Sequence, residues 1–510
     1  MRRVCLRWWV CVSAAALIAV GPCAGVQADE ASEQRGQEVQ GTAAEMDAPL
    51  GIPADWPDPG SLRFERLRVP TAKPQRHELD NGLVVYLAED RSLPLVDGVA
   101  YLRIGSHWDP EGKRGLASLS IDALRNGGTA ALAPAALDQR LEELAADIEA
   151  ATSGAYSSVS FAALTETRDE VLELFRDVLR EPRFDADRLE VTRGSVLESI
   201  RRRDDNPVGL AVQEFGLRVA SGHPVGQYPT LETVQAISRA DVVAFHERFV
   251  KPNNLVLVLS GDFESTAMLA RVQALFADWA PGAVQRPELP PFKEHPEPVV
   301  YHVQKARAQS VVLVGQPTLR TYSDDYAEVA IGNRVLGAGG FSSRIFSRIR
   351  SEMGLAYSTG SQVSSGFLYP GTFLAYAVTR GDRTTQVLDA LLEEIRAIRR
   401  APISRRELRT HREAILNSAI FRDTSQREIV RRAARAQELL GLEPEYFQRY
   451  LEDVQQVDPE AIQDALRKWI DPEEMIILVV GDASSFDAPL SRFGPVERVQ
   501  LPESTDPAPQ

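Results

Sequence analysis

The sequence predicts an α+β protein built from two similar halves, each a mainly antiparallel sheet with helices packed on one side. Three observations lead there. An apolar strand ending in Gly-Asp occurs twice, as Asn254–Ser260 with Gly261-Asp262 and as Met475–Val480 with Gly481-Asp482. The two lie 220 positions apart, a spacing that fits a domain duplication and not a short-repeat solenoid. Strand and helix patterns also alternate in mixed order, and a proline-rich stretch, residues 281–298, separates the halves.

The first half opens with an expected hairpin over His77–Leu87, turning at Asn81-Gly82. A strand is expected at 99–104, helices at 115–126, 134–148 and 167–180, and one polar strand at 150–164. A long helix over 186–204 stops before Asn206-Pro207, and helix 238–249 leads into the closing strand. The second half repeats the plan, with strand Ser310–Val314, helix 323–336, a glycine-rich turn and the closing strand. The expected organisation is a leader at 29–62, domains at 63–280 and 299–492 joined by the 281–298 linker, and a tail at 493–510.

A chain of 510 residues exceeds one ordinary core. Its net charge of −15 and lack of a basic face argue against nucleic-acid binding, and Arg399-Arg400 and Arg431-Arg432 read as solvated helix faces. Residues 1–28 have a basic start, an apolar core and a Val-Gln-Ala end, the layout of a signal peptide cleaved after Ala28. Cleavage would leave a chain of charge −18, exported and best matched to a periplasm. Cys5, Cys11 and Cys23 all lie in that segment, so the remainder has no disulfide or thiolate metal site, and Pro22 makes Cys23 a poor lipidation site. Beyond it, no stretch is long and apolar enough to span a bilayer.

Residues 115–129, GLASLSIDALRNGGT, resemble the zinc-binding helix of the pitrilysin/insulysin peptidases, the inverted zincins, whose segment reads Gly-Leu-Ala-His-x-x-Glu-His followed by Gly-Thr. In that family two histidines hold Zn²⁺ and the glutamate activates water. Counted from Gly115, the three positions hold Ser118, Ile121 and Asp122; counted back from Thr129 they hold Leu119, Asp122 and Ala123. No histidine lies between His107 and His223, so neither register supplies imidazole. The family's third ligand, a glutamate further along, corresponds to Glu198 or Ser199. The resemblance thus implies no metal on this chain.

Residues 337–358, GAGGFSSRIFSRIRSEMGLAYS, resemble the second-domain signature of the same family. There an arginine and a tyrosine seven residues apart, here Arg350 and Tyr357, face the zinc site and contact substrate backbone and the developing oxyanion. Taken over residues 70–490, the resemblance implies two pitrilysin/LuxS-like domains. Other chemistry finds no support. The seven histidines show no i, i+4 pairing, His223 before Pro224 reads as a turn residue, and no Gly-x-Ser-x-Gly elbow occurs.

What the resemblance implies is an exported, non-catalytic subunit of a two-chain zinc peptidase. A homologous partner would carry the zinc motif and the Zn, and the pair would form a clamshell around a peptide or unfolded segment. The alternative is a peptide-binding or scaffold protein without peptidase context. A third reading is a peptidase active alone through an unfamiliar metal site.

Overall fold

The structure is a computed structural model, and it describes residues 74–293, 297–364, 366–419, 421 and 425–501. The expected signal peptide and leader lie outside the described residues, as does nearly all of the 501–510 end. The first half contains β1 (Gln75–Glu78), β2 (Val84–Glu89), β3 (Leu95–Leu102), α1 (Leu116–Asn126), α2 (Pro134–Glu143), β4 (Asp147–Thr152) and β5 (Ser157–Leu164). It continues with α3 (Arg168–Arg180), α4 (Ala186–Arg201), α5 (Pro207–Val219), α6 (Leu231–Gln235), α7 (Arg239–Phe249), β6 (Leu255–Gly261) and α8 (Ser265–Phe276). The second half holds β7 (Val300–Gln304), β8 (Gln309–Thr318), α9 (Tyr326–Asn333), β9 (Ala356–Val363), β10 (Gly371–Arg380) and α10 (Thr384–Arg400). It ends with α11 (Arg405–Ala419), α12 (Gln426–Ala434), α13 (Tyr446–Gln456), α14 (Pro459–Trp469), β11 (Ile476–Gly481) and β12 (Val496–Arg498).

Each half forms a six-stranded sheet, in the orders β1-β2-β6-β3-β5-β4 and β12-β7-β11-β8-β10-β9. The last five strands of each order match one for one, and the closing strands β6 and β11 occupy the same place, parallel to β2 and β7 and antiparallel to β3 and β8. The hairpin at Asn81-Gly82 is present: β1 pairs with β2 from Gln75↔Leu87 to Glu78↔Val84, and Gly82 takes φ +81. That left-handed backbone is why glycine stands there.

Three expected boundaries change. Residues 150–164 are parts of two strands, β4 and β5, turning at Ser153–Tyr156, where Ser153 N–H donates to Tyr156 O at 2.8 Å. The helix expected to reach 148 stops at Glu143, because Ala145 at φ +49 turns the chain back into β4. The helix expected over 323–336 is α9 followed by a π-helical turn, Arg334–Ala338.

The closing strands run Leu-Val-Leu-Val-Leu and Ile-Ile-Leu-Val-Val because both of their faces are covered. One face of the first sheet packs Val85, Leu87, Leu257 and Leu259 against α1, α3, α7 and α8. Its other face, with Val84, Tyr86, Val99, Tyr101, Val256 and Val258, receives Val430 and Ala434 of α12 from the second half. The exchange is reciprocal. Leu210, Ala211, Phe215 and Val219 of α5 pack on Val303, Val311, Leu313, Leu374, Leu478 and Val480 of the second sheet. The remaining core of the second half packs α9, α10 and α14 on Val312, Val314, Phe373 and Val479.

Polar contacts join the halves as well. Glu438, just after α12, accepts from Arg76 Nε at 2.8 Å, Arg103 Nη2 at 3.0 Å and the Tyr86 hydroxyl at 2.9 Å. Arg431, expected on a solvated face, is instead half-buried in this interface, where desolvation lowers its pKa. Arg399 is likewise half-buried and bonds Asp471 at 3.1 Å. Among the described residues no helix is long and apolar enough to cross a membrane.

Candidate functional site

The segment 337–358 begins as a close crossing of backbones. A side chain at Gly337 would place its Cβ 2.3 Å from the Ser361 backbone nitrogen in β9, so only glycine allows that approach. The chain then enters a second π-helical stretch, Phe346–Glu352, and leaves it through Gly354 at φ +63. Backbone bonds Met353 N–H to Arg348 O and Leu355 N–H to Ile349 O, 2.9 Å each, close this turn. Widened helical turns of this kind are rare and concentrate at functional sites.

This geometry brings Arg350 and Tyr357 together across the turn. Arg350 Nη1 donates to the Tyr357 carbonyl at 3.0 Å, and its guanidinium lies 4.3 Å from the Tyr357 ring centroid and 4.8 Å from that of Phe346. Phe341 adds a third ring at 5.6 Å and packs edge-on against Phe346 at 4.5 Å. Cation–π contacts of this type hold a guanidinium without neutralising it. Among the described residues no carboxylate pairs with Arg350. Tyr357 is 76% exposed and Phe341 78% exposed, so the group presents an uncompensated cation, a phenol and an aromatic face to solvent. Sequence spacing singled out Arg350 and Tyr357 but not Phe341 and Phe346, which only folding stacks on the guanidinium. The neighbouring Arg344 is used structurally, bonding Glu407 at 2.8 and 3.1 Å. Burial opposes the Glu407 anion, but the bonds from Arg344 and Ser404 outweigh it and bring the carboxyl down to about 2.

On α1, the register counted from Gly115 places Ser118 and Asp122 one turn apart on the half-exposed face, with Ile121 in the core. The register counted from Thr129 puts Leu119 and Ala123 in the core, so two of its three positions cannot reach an open face. Asp109 caps the helix, accepting from Gly115 N–H and Ala117 N–H at 2.8 Å each, while burial raises its carboxyl to about 6 against those bonds. Burial alone raises Asp122, also to about 6. Glu198 is exposed on α4 and bonds Arg202 at 2.6 Å, and Ser199 beside it is exposed too. This donor set does not fit a zinc ion. It offers one recessed carboxylate and a second already held by arginine, where about three ligands of imidazole, thiolate or carboxylate type are needed. Among the described residues no three His, Cys, Asp or Glu side chains cluster as a metal site.

The histidines serve packing. His223 is 5% exposed, with Nε2 2.9 Å from Pro290 O and Nδ1 accepting from Val225 N–H, as its turn position suggested. His107 meets the Tyr369 hydroxyl at 3.1 Å across the two halves. Burial, with the His223 and Arg114 charges, lowers His107 to about 4.

Two family models match the chain: insulinase (peptidase family M16) over residues 90–224, and the peptidase M16 inactive domain over residues 236–415. An uncharacterized zinc protease of Mycobacterium leprae is 28% identical over 278 residues, 53% of this chain and 61% of that relative, so the match spans under two thirds of its length. Among solved structures, the peptidase M16 inactive domain from Pseudomonas fluorescens aligns at 24% identity with a TM-score of 0.73, over 81% of this chain and 98% of that one. The periplasmic protease PqqL from Escherichia coli aligns at 15% identity and a TM-score of 0.67, over 82% of this chain but 48% of PqqL. The fold of this chain is thus shared with nearly all of the Pseudomonas fluorescens structure and with about half of PqqL.

Proposed function

The chain belongs to the insulinase-like peptidases of family M16, and on that premise we propose that it is an exported, non-catalytic subunit of a two-chain zinc peptidase. A homologous partner carries the zinc and its ligands, and the two chains close as a clamshell on a peptide. The observation that carries this reading is the Arg350 guanidinium, held by three aromatic rings and the Tyr357 carbonyl yet without a counter-ion among the described residues, beside the exposed Phe341 and Tyr357. A donor fixed in place and uncompensated suits substrate carbonyls and the negative charge that develops on a carbonyl oxygen under attack. Tyr357 offers its phenol beside it. The misfit of α1 to zinc and the match to 48% of PqqL support a partner for the metal.

Peptide would add to the open edge of β4. Ser153 N–H turns inward to Tyr156, so by strand alternation Ala150 and Thr152 aim their backbone groups outward, and among the described residues no strand lies on that side. The same edge also serves the second reading, a peptide-binding protein outside any peptidase.

The isolated chain is expected to hydrolyse no peptide and to retain no stoichiometric zinc. Mixed with its partner it should form a stable complex whose turnover falls about a hundredfold or more on Arg350→Ala, the range for losing one oxyanion donor, with thermal stability little changed. Cleavage unaffected by Arg350→Ala would remove the proposed role in trans. The absence of any zinc-bearing partner would favour the second reading.

A further inference from the structure

α1 and β4 lie side by side and run in opposite directions. At one end Arg125 Nε donates to the Ile148 carbonyl at 2.8 Å. At the other, the Ser106 and His107 N–H groups ahead of α1 donate to the Ser153 and Gly154 carbonyls just past β4, 3.0 Å each. Ser118 and Asp122 sit between these anchors on the half-exposed face of α1. The outward backbone groups of Ala150 and Thr152 belong to the same stretch.

Asp122 has no hydrogen-bond or ion-pair partner among the described residues. Arg125, a cation further along the same helix, is engaged by Asp138 at 2.7 Å and by Ile148. Desolvation is the one influence acting on its carboxyl. A carboxylate that has lost water without gaining a partner is destabilised, and a cation reaching it recovers that loss. A strand added to β4 would direct alternate side chains toward α1.

We propose that Asp122 is a specificity-determining residue that receives the ammonium group of an extended basic peptide lying on the edge of β4. The position corresponding to a metal ligand in zinc-binding relatives would then read substrate charge. This rests on the reading of β4 as a peptide-accepting edge. An ammonium can come from a lysine side chain or from a free peptide N-terminus, and the probes separate the two.

The test is fluorescence anisotropy of the full chain with eight-residue Val/Thr peptides labelled at the C-terminus. One is N-acetylated with a single central lysine, one is N-acetylated with norleucine there, and one has norleucine and a free N-terminus. The lysine peptide should bind Asp122→Asn, and independently Asp122→Ser, about tenfold or more weaker than the native chain, the scale of one lost charge-assisted bond. The acetylated norleucine peptide should bind all three proteins alike. If the free-amine peptide shows the same loss, the N-terminus also reaches Asp122. Backbone N-methylation at alternate residues should weaken every probe. Equal binding of both ammonium probes to native and Asp122-substituted chains would overturn the inference and leave the edge reading intact. Failure of all probes to bind, or indifference to N-methylation, would overturn the edge reading and the inference with it.

Discussion

Phe215→Ala is the substitution that tests most directly how the two halves hold together. Phe215 belongs to the first half by sequence, yet it is 3% exposed within the second half's core, beside Leu313, Leu374 and Leu478. Its ring fills the space over Gly315 of β8, where a Cβ would lie 3.0 Å from Phe215 Cζ. Glycine on one element and phenylalanine on the other form a matched pair, so neighbouring side chains have little room to collapse into the gap. Truncation should therefore cost the full range for a buried phenylalanine, about 3–5 kcal/mol. For amides that exchange through opening of the second sheet, that corresponds to about a hundredfold to several-thousandfold faster exchange, at about 1.4 kcal/mol per tenfold. Hydrogen-exchange mass spectrometry of the full chain would read this in peptides covering β8 and β11. If those peptides exchanged at native rates while only α5 itself accelerated, the helix would be a loosely docked arm. The reasoning that each half completes the other's core would then be wrong.

Two further outcomes are expected. His107 should make the fold sensitive to acid: burial holds its pKa at about 4 against an ordinary 6.5, so the folded state prefers the neutral ring. That contribution is present above pH ~6.5 and is lost as pH falls from there through about 4, at most about 3 kcal/mol. Thermal melts at pH 7.5 and 4.5 should show a smaller acid-induced drop for His107→Gln, and an equal drop would exclude His107 as the source. Gly337→Ala should destabilise by about 1–3 kcal/mol, because its Cβ meets the Ser361 and Gly360 backbone and neither can rotate away. A melting temperature matching the native protein would refute that close approach.

Much of this was legible from local chemistry. Asn81-Gly82 announces its hairpin because only glycine tolerates the left-handed turn cheaply, and Ser238 with Asp241 marks the start of α7 as a capping box. The repeated strand before Gly-Asp located the duplication. What was missed has separate causes. Residues 150–164 read as one polar strand because the turn between β4 and β5 contains no proline, and its Ser153-Gly154 was absorbed into the strand. The helix expected over 186–204 does stop before Asn206-Pro207, but α5, which starts there, was not foreseen: Asn206 accepts from Val208 N–H and Gly209 N–H, and proline occupies the first turn, where no donor is required. For the candidate site, the motif supplied Arg350 and Tyr357, while the rings of Phe341 and Phe346 around the guanidinium were not legible. Phe341 lies in the separate turn Gly340–Ser342, and only folding brings its ring onto Phe346 and Arg350.

By itself the sequence determined which residues are available: a duplicated strand-and-helix pattern, an arginine and tyrosine seven apart, and a helix at 115–126 without imidazole. These depend on residue identity and on spacing along the chain, which neighbours far away cannot alter. The tertiary structure alone decided where α5 and α12 dock, since an apolar helix face carries no address and packs wherever complementary surface remains uncovered. It likewise decided that Arg350 meets no carboxylate among the described residues and that Asp122 lies desolvated beside the β4 edge. Electrostatic environment belongs to the surroundings of a group, and those surroundings are assembled from segments hundreds of residues apart.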